Sequence, residues 1–237
     1  MMSLSRILNR IRARFMTEMR YRGLRVPIDG PQVIRPIKDE LFANRYEAPE
    51  IDALEHVLQP GDRMLEVGVG IGVVSALAAF RVPDARIEAY EANPDLMAPI
   101  RRLHEMNGIT SIRLENAILE QAPDAPSRPF HIHWSFAESS LIPTAGSVRS
   151  VEVPTEDFTS KLNDFQPDVL VVDIEGGEAD LLTGADLSKI RALVLELHPA
   201  VLSDDQINAI RATCDQAGLT RRRDLEAGQV TVYERTA

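Results

Sequence analysis

From Met64 onward the chain alternates short apolar runs with helix-forming stretches, and this alternation constrains the fold more than any other feature. Residues 64–67, 87–90, 112–114, 169–174 and 192–197 have the apolar character of sheet strands. Between them, residues 73–80 read as a helix. Asn93-Pro94-Asp95 opens another, with Asn as N-cap, Pro in the first turn and an acid favoured by the helix dipole. Gly108 closes that helix, and Ser203-x-x-Gln206 is a capping box for one running to about residue 216. Residues 219–224 and 230–233 read as a closing antiparallel hairpin around Gly228. The pattern predicts an α/β fold: a doubly wound, Rossmann-like, mostly parallel seven-stranded sheet with a C-terminal antiparallel hairpin. In such sheets ligands bind beyond the C-terminal ends of the strands, where the strand order reverses.

Two stretches depart from the alternation. Residues 121–129 hold three prolines and read as a loop; strand-like segments 131–136 and 148–153 follow, so an inserted flap is expected over 121–153. His131 and His133 share one strand face, which either lines the acceptor pocket or faces solvent, with Trp134 on the opposite, core-facing side. The Ser139-Ser140 turn is a candidate lid for the cleft. Ahead of the alternation, Leu4, Ile7, Leu8, Ile11, Phe15 and Met19 fall on one stripe, which predicts an N-terminal helical extension. Gly23, Pro27, Gly30 and Pro31 then break the pattern, so residues 26–45 read as an irregular connection before a short helix at 51–58. The expected organisation is a basic helix with its connection over 1–45 and one α/β domain over 46–237.

Charge narrows the function classes. With 26 Lys and Arg against 36 Asp and Glu, the net charge of −10 does not suit a chain that coats nucleic acid, and no nucleic-acid partner is expected. Residues 1–25 nevertheless carry seven arginines against one acid, Glu18. That leader has three readings: docking on its own domain or on a second copy, peripheral membrane contact as an in-plane helix, or phosphate contact, which the acidic body opposes. A lone cysteine, Cys214, cannot form an internal disulfide, and no apolar run approaches the roughly 18 residues of a membrane span. A cytoplasmic location is expected, with membrane-peripheral contact through the leader as the variant.

The residues after each strand carry the chemistry. After the first stands Glu66-Val67-Gly68-Val69-Gly70-Ile71-Gly72. Alternate glycines let a tight turn bring backbone N–H groups close to a ligand. A nicotinamide fingerprint, G-x-G-x-x-G, would need glycine at Val73, and Glu66 would repel a pyrophosphate while suiting a ligand with ammonium and sulfonium charges. After the second strand, Glu91 lies 23 residues beyond Gly68, the spacing at which an acid takes both ribose hydroxyls. Ala92, and after the third strand Asn116 and Ala117, form the small edge expected beside an adenine.

Glu66-x-Gly68-x-Gly70-x-Gly72, Glu91-Ala92-Asn93-Pro94, Asp173-Ile174-Glu175-Gly176-Gly177-Glu178 and Glu196-Leu197-His198 together resemble the FkbM family of class I S-adenosylmethionine-dependent methyltransferases, from about Tyr46 to Leu197. Three positions depart from the family pattern: Val171 stands where a lysine is frequent, Glu66 where Asp is usual, and Ala92 where Pro is usual. The resemblance implies S-adenosylmethionine as cofactor, with Gly68, Gly70 and Gly72 along its methionine part and Glu91 on its ribose. Glu66, Tyr46 and Glu47 become candidates for its ammonium. It also implies methylation of a hydroxyl oxygen on a sugar, polyketide, glycolipid or similar small molecule.

Methyl transfer to an alcohol needs in-line alignment and a base for the departing proton. Asp173, Glu175 and His198 are the catalytic candidates, and Glu178 is read either as a fourth or as a charge at a helix start. A divalent ion on Asp173, Glu175 and His198 is compatible with the sequence and not required by it. Two other functions compete: an NAD(P)-dependent reductase, opposed by Val73 and by the lack of a Tyr-x-x-x-Lys pair, and a non-catalytic binding domain of the same fold.

Overall fold

The computed structural model describes residues 16–235. Seven strands form the main sheet in the order β11-β12-β10-β9-β3-β4-β5. They are β3 (Arg63–Val67), β4 (Arg86–Tyr90), β5 (Ile112–Glu115), β9 (Val169–Val172), β10 (Ala192–Glu196), β11 (Thr220–Arg221) and β12 (Val230–Glu234). β12 runs antiparallel to β10 and β11, while β5, β4, β3, β9 and β10 are parallel. The expected doubly wound sheet with its C-terminal antiparallel hairpin is present.

Strand residues alternate between two cores, which is why these runs are apolar throughout. Met64, Val169, Val171, Ala192 and Val194 pack on one face of the sheet; Leu65, Val67, Leu170, Val172, Leu193 and Leu195 pack on the other. Connecting helices cover both faces: α3 (Val73–Arg81), α4 (Met97–Asn107), α6 (Glu178–Leu182) and α7 (Asp204–Gln216). Asn93 accepts from Asp95 N at the start of a 3-10 turn leading into α4, and Gly108 ends α4 in the left-handed conformation. Both halves of the Ser203/Gln206 capping box are formed.

The chain builds outward from β3 through β4 to β5, then returns to place β9 on the other side of β3. The reversal point therefore lies between the C-terminal ends of β3 and β9, where the Gly loop and Asp173 sit. Their backbones nearly touch, with Asp173 N donating to Val67 O at 3.0 Å. A Cβ on Gly68 would lie 1.6 Å from Asp173 O. Glycine is needed at 68 by the sheet itself, before any ligand is considered.

The N-terminal expectation is corrected. Residues 1–15, with most of the expected amphipathic helix, lie outside the described residues, but Met19 is not helical. β1 (Glu18–Tyr21) and β2 (Leu24–Pro27) form an antiparallel hairpin, turned at Arg22 and Gly23 with φ of 47° and 102°. Two central residues at positive φ suit the twist of a two-residue hairpin. Met19, Tyr21, Leu24 and Val26 are buried, so the operative period here is two, and a helical stripe carried past residue 15 mistakes it. Residues 26–45 are not an irregular connection either: α1 (Arg35–Phe42) buries Ile37 and Leu41, one helical turn apart. Hairpin and helix share a buried cluster with β3 and α3, so the packed core begins well before residue 46.

The flap is present and somewhat longer than expected. β6 (Ile118–Glu120), β7 (Ser127–His133) and β8 (Ser147–Asp157) form a small sheet in the order β6-β8-β7, followed by α5 (Phe158–Phe165). A register shift between Ile132 and His133 breaks the strand alternation. His133 consequently turns inward and is buried, whereas Trp134, expected in the core, is 62% exposed.

Candidate active site

A cavity of about 550 Å³ opens at the reversal point between β3 and β9. The C-terminal ends of the strands form its floor, and Phe130, Phe136 and Leu141 of the flap supply an apolar roof. Ser139 and Ser140, in the turn expected as a lid, also line it. Its volume falls within the range typical of small-molecule sites.

One end is built from the Gly loop and Glu91. Gly68 and Gly70 line the cavity with φ of 86° and 56°. The Glu91 carboxylate reaches across from β4: Oε2 accepts from Val69 N at 3.0 Å and Gly70 N at 2.9 Å, and Oε1 from Asn93 N at 2.7 Å. Burial raises its pKa, and the backbone N–H groups pull the other way. Ala92 and Ala117 leave room beside it. Asn116 does not line the cavity; its Nδ2 donates to Glu91 O and Ala92 O and braces the two strand ends.

Gly72 and Glu66 also lie behind the cavity wall. A Cβ on Gly72 would lie 2.8 Å from Ile100, so this glycine serves the packing of α4. Glu66 is 1% exposed, and burial pushes its pKa up to about 8, opposed by neighbouring Ser75. Tyr46 stands beneath the loop, its hydroxyl 3.4 Å from where a Cβ on Gly70 would project. The adjacent Glu47 reaches the cavity, from the left-handed position that starts α2 (Ala48–Val57).

The other end is acidic. Asp173 and Glu175 follow β9, Glu196 ends β10, and all three line the cavity with Glu47. Glu50, one helical turn after Glu47, is buried behind them. Burial, reinforced by Glu47, lifts Asp173 well above the usual carboxylate range. Burial together with Glu196 pushes Glu47 up to about 7, and burial together with Glu47 pushes Glu50 up to about 9. Glu175 rises to about 7 through burial, with His198 working against it.

His198 lies behind this wall. Its Nδ1 is 2.7 Å from Glu178 Oε1; its Nε2 is 3.3 Å from Glu175 Oε2 and 3.7 Å from Asp173 Oδ1. Burial lowers the imidazole pKa, but Glu178 and Glu175 outweigh it, and His198 ends above its ordinary value. Glu178 is fully buried and also accepts from Gly176 N at 3.0 Å, so it serves the histidine and the local turn together. Asp173, Glu175 and His198 are thus brought together as expected. Glu50 and Glu196 were not among the expected site residues. A strand-end position singles out Glu196, and an acid pair spaced i, i+3 singles out Glu47 and Glu50.

Strand order, antiparallel last strand and a cavity at the reversal point define a Rossmann-like ligand-binding domain of the kind the sequence predicted. A model of the "Methyltransferase FkbM domain" matches residues 66–219, and the chain belongs to that family. A ribosomal protein L11 methyltransferase from Bacillus cereus (strain B4264) is 36% identical over 73 residues, 30% of this chain, and the chain spans only 23% of that relative. Among solved structures, a precorrin-6y C5,15-methyltransferase from Geobacter metallireducens GS-15 superposes with a TM-score of 0.49 at 16% identity, covering 81% of this chain and 90% of that one. A ribosomal protein L11 methylase from Lactobacillus delbrueckii subsp. bulgaricus gives 0.46 at 14% identity, covering 81% and 80%. Among the described residues no helix is long and apolar enough to cross a membrane.

Proposed function

We propose that the chain is an S-adenosylmethionine-dependent methyltransferase acting on a hydroxyl oxygen of a small molecule such as a sugar, polyketide or glycolipid. Membership of the family supports methyl transfer, and the observation that carries the reading is the division of the cavity. A glycine loop with a backbone-anchored acid, Glu91, forms one end, and acids forming a polar wall, Asp173 and Glu175, form the other.

The residues fit the cofactor. Small Gly68, Gly70, Ala92 and Ala117 leave space for a nucleoside along the strand ends. The Glu91 carboxylate, held by the loop N–H groups of Val69 and Gly70 and by Asn93 N, keeps one acceptor position, on Oε1, for a ribose hydroxyl. Glu47, lining the cavity next to Tyr46, provides an anion for the ammonium. When bound, S-adenosylmethionine supplies an electrophilic methyl group on a sulfonium. The protein's task is then to align the acceptor oxygen in line with it and to take the oxygen's proton.

Glu175 is the assigned base. It lines the cavity, its backbone is held at φ 54°, and His198 contacts its Oε2. Glu178 fixes the imidazole from behind, and Asp173 completes the wall on which the acceptor rests. The flap aromatics Phe130 and Phe136 exclude water from above.

The test is transfer of a labelled methyl group from S-adenosylmethionine to a panel of sugars, hydroxylated polyketides and glycolipid precursors. The reading requires an O-methylated product, and Glu175→Gln should lower kcat at least about a hundredfold with cofactor affinity kept. Methylation confined to amines or to protein would overturn the hydroxyl assignment.

A further inference from the structure

The acidic end of the cavity gathers more carboxyl groups than the chain pairs with cations. Asp173, Glu175, Glu178 and Glu196 gather around one imidazole, His198, with Glu47 and Glu50 beside Glu196, and among the described residues no Lys or Arg forms an ion pair with any of them. Two triads share Glu196: in Asp173–Glu196–His198 and in Glu47–Glu50–Glu196, one ligand atom of each residue lies within 4.8 Å of the others. Buried carboxylates are ordinarily paired or coordinate a cation.

Two further observations point to a ligand. Glu50 is 4% exposed, and its Oε2, inside the acidic cluster, has no hydrogen-bond partner; Asp173 Oδ1 is likewise buried and unpartnered. The histidine is also arranged as a ligand: Nδ1 faces the fully buried Glu178 carboxylate while Nε2 points toward Asp173 and Glu175. A carboxylate on the far nitrogen of an imidazole fixes the tautomer whose other nitrogen offers a lone pair, the usual outer support of a metal-binding histidine.

We infer that Asp173, Glu196 and His198 form a binding site for one divalent cation of the Mn2+ or Mg2+ type, with Glu178 as its positioning residue. Two carboxylates and one imidazole suit such an ion better than a thiolate-seeking one. Asp173 and Glu196 line the cavity, so the open coordination positions face the space assigned to the acceptor. An acceptor presenting two neighbouring oxygens, such as a vicinal diol, would fill them. This preference for the acceptor rests on the methyl-transfer reading; the cation site does not.

The experiment is Mn2+ titration of the full chain without cofactor or acceptor, followed by electron paramagnetic resonance. One Mn2+ should bind per chain, be displaced by Mg2+, and give pulsed-resonance nitrogen coupling from the imidazole. Asp173→Asn and Glu196→Gln should each weaken it at least about tenfold, and Glu178→Gln about 10- to 100-fold. Glu88→Gln, an acid paired with Lys161 away from the cluster, should leave it unchanged. Absence of stoichiometric Mn2+, or bound Mn2+ without nitrogen coupling in the unmodified chain, overturns the inference whether or not the variants fold. Because S-adenosylhomocysteine binding is measured separately, failure here leaves the cofactor reading standing, and failure there leaves the cation result standing.

Discussion

The two ends of the cavity satisfy their charges in opposite ways. At the glycine loop, each oxygen of Glu91 accepts a backbone N–H, so the carboxylate is held in place whether or not a ligand is bound. At the acidic end, Glu50, Asp173 and Glu178 each keep an unpartnered buried oxygen, and the carboxylates face one another across a single histidine. The Glu91 carboxylate is completed by the protein's own backbone. The acidic end leaves buried carboxylate oxygens for a proton or, on the cation-site proposal, a bound ion to satisfy, and on that proposal ligand binding and stability are coupled there more tightly.

The largest effect expected on this contrast comes from Gly68→Ala. The new Cβ would meet the Asp173 carbonyl, a backbone atom that cannot swing aside, and the residue's φ of 86° adds strain. Loss of more than about 4 kcal/mol, seen as failure to fold or collapse of the thermal transition, is the expected outcome. Gly61→Ala, also at positive φ but with nothing within 4 Å of its Cβ, should cost only about 1 kcal/mol. Equal losses would mean that backbone conformation rather than the closeness of β3 and β9 sets the requirement.

Next is Glu91→Gln, which keeps the shape of the side chain and removes its charge. S-adenosylhomocysteine affinity measured by calorimetry should fall at least about tenfold, or 1.4 kcal/mol. Unchanged affinity would demote this end to scaffold.

Glu66 sharpens the contrast through pH. Its pKa rises from an ordinary 4.5 to about 8 in the fold. Below the lower value both states hold the proton. Between the two, the unfolded chain releases it and the folded chain keeps it, so stability falls as pH rises and the penalty is complete above the upper value. Glu66→Gln should therefore raise the Tm little near pH 5 and progressively more up to about pH 8.5. A shift independent of pH would show that Glu66 is already paired. The smallest effect belongs to Arg149→Ala: its partner Asp95 is a surface acid, and the pair should contribute under about 1 kcal/mol to unfolding.

The glycine end was legible in the sequence because its parts are local. Gly68, Gly70 and Glu91 each follow directly on an apolar run, and the parallel-sheet rule brings such ends together. Asp173, Glu175 and His198 were legible for the same reason. What sequence could not convey was convergence from other directions. Glu50 comes from α2, which packs along β10 and β12 on one face of the sheet, and Glu178 meets His198, twenty positions further on, only once α6 and β10 are packed. Asn116 and Gly72, expected as cofactor contacts, do not line the cavity: the first braces strand ends and the second admits Ile100. Local irregularities misled most: one register shift turned Trp134 out and His133 in, and a tight turn at Arg22-Gly23 made a hairpin where a helical stripe had been extended.

The most direct test of the account is calorimetric titration of the full chain with S-adenosylhomocysteine and, in parallel, with NADH. One binding event per chain with the former and no heat with the latter is the predicted result. Silence with S-adenosylhomocysteine from folded protein, or binding of NADH in its place, would contradict the cofactor assignment on which the reading of the cavity depends.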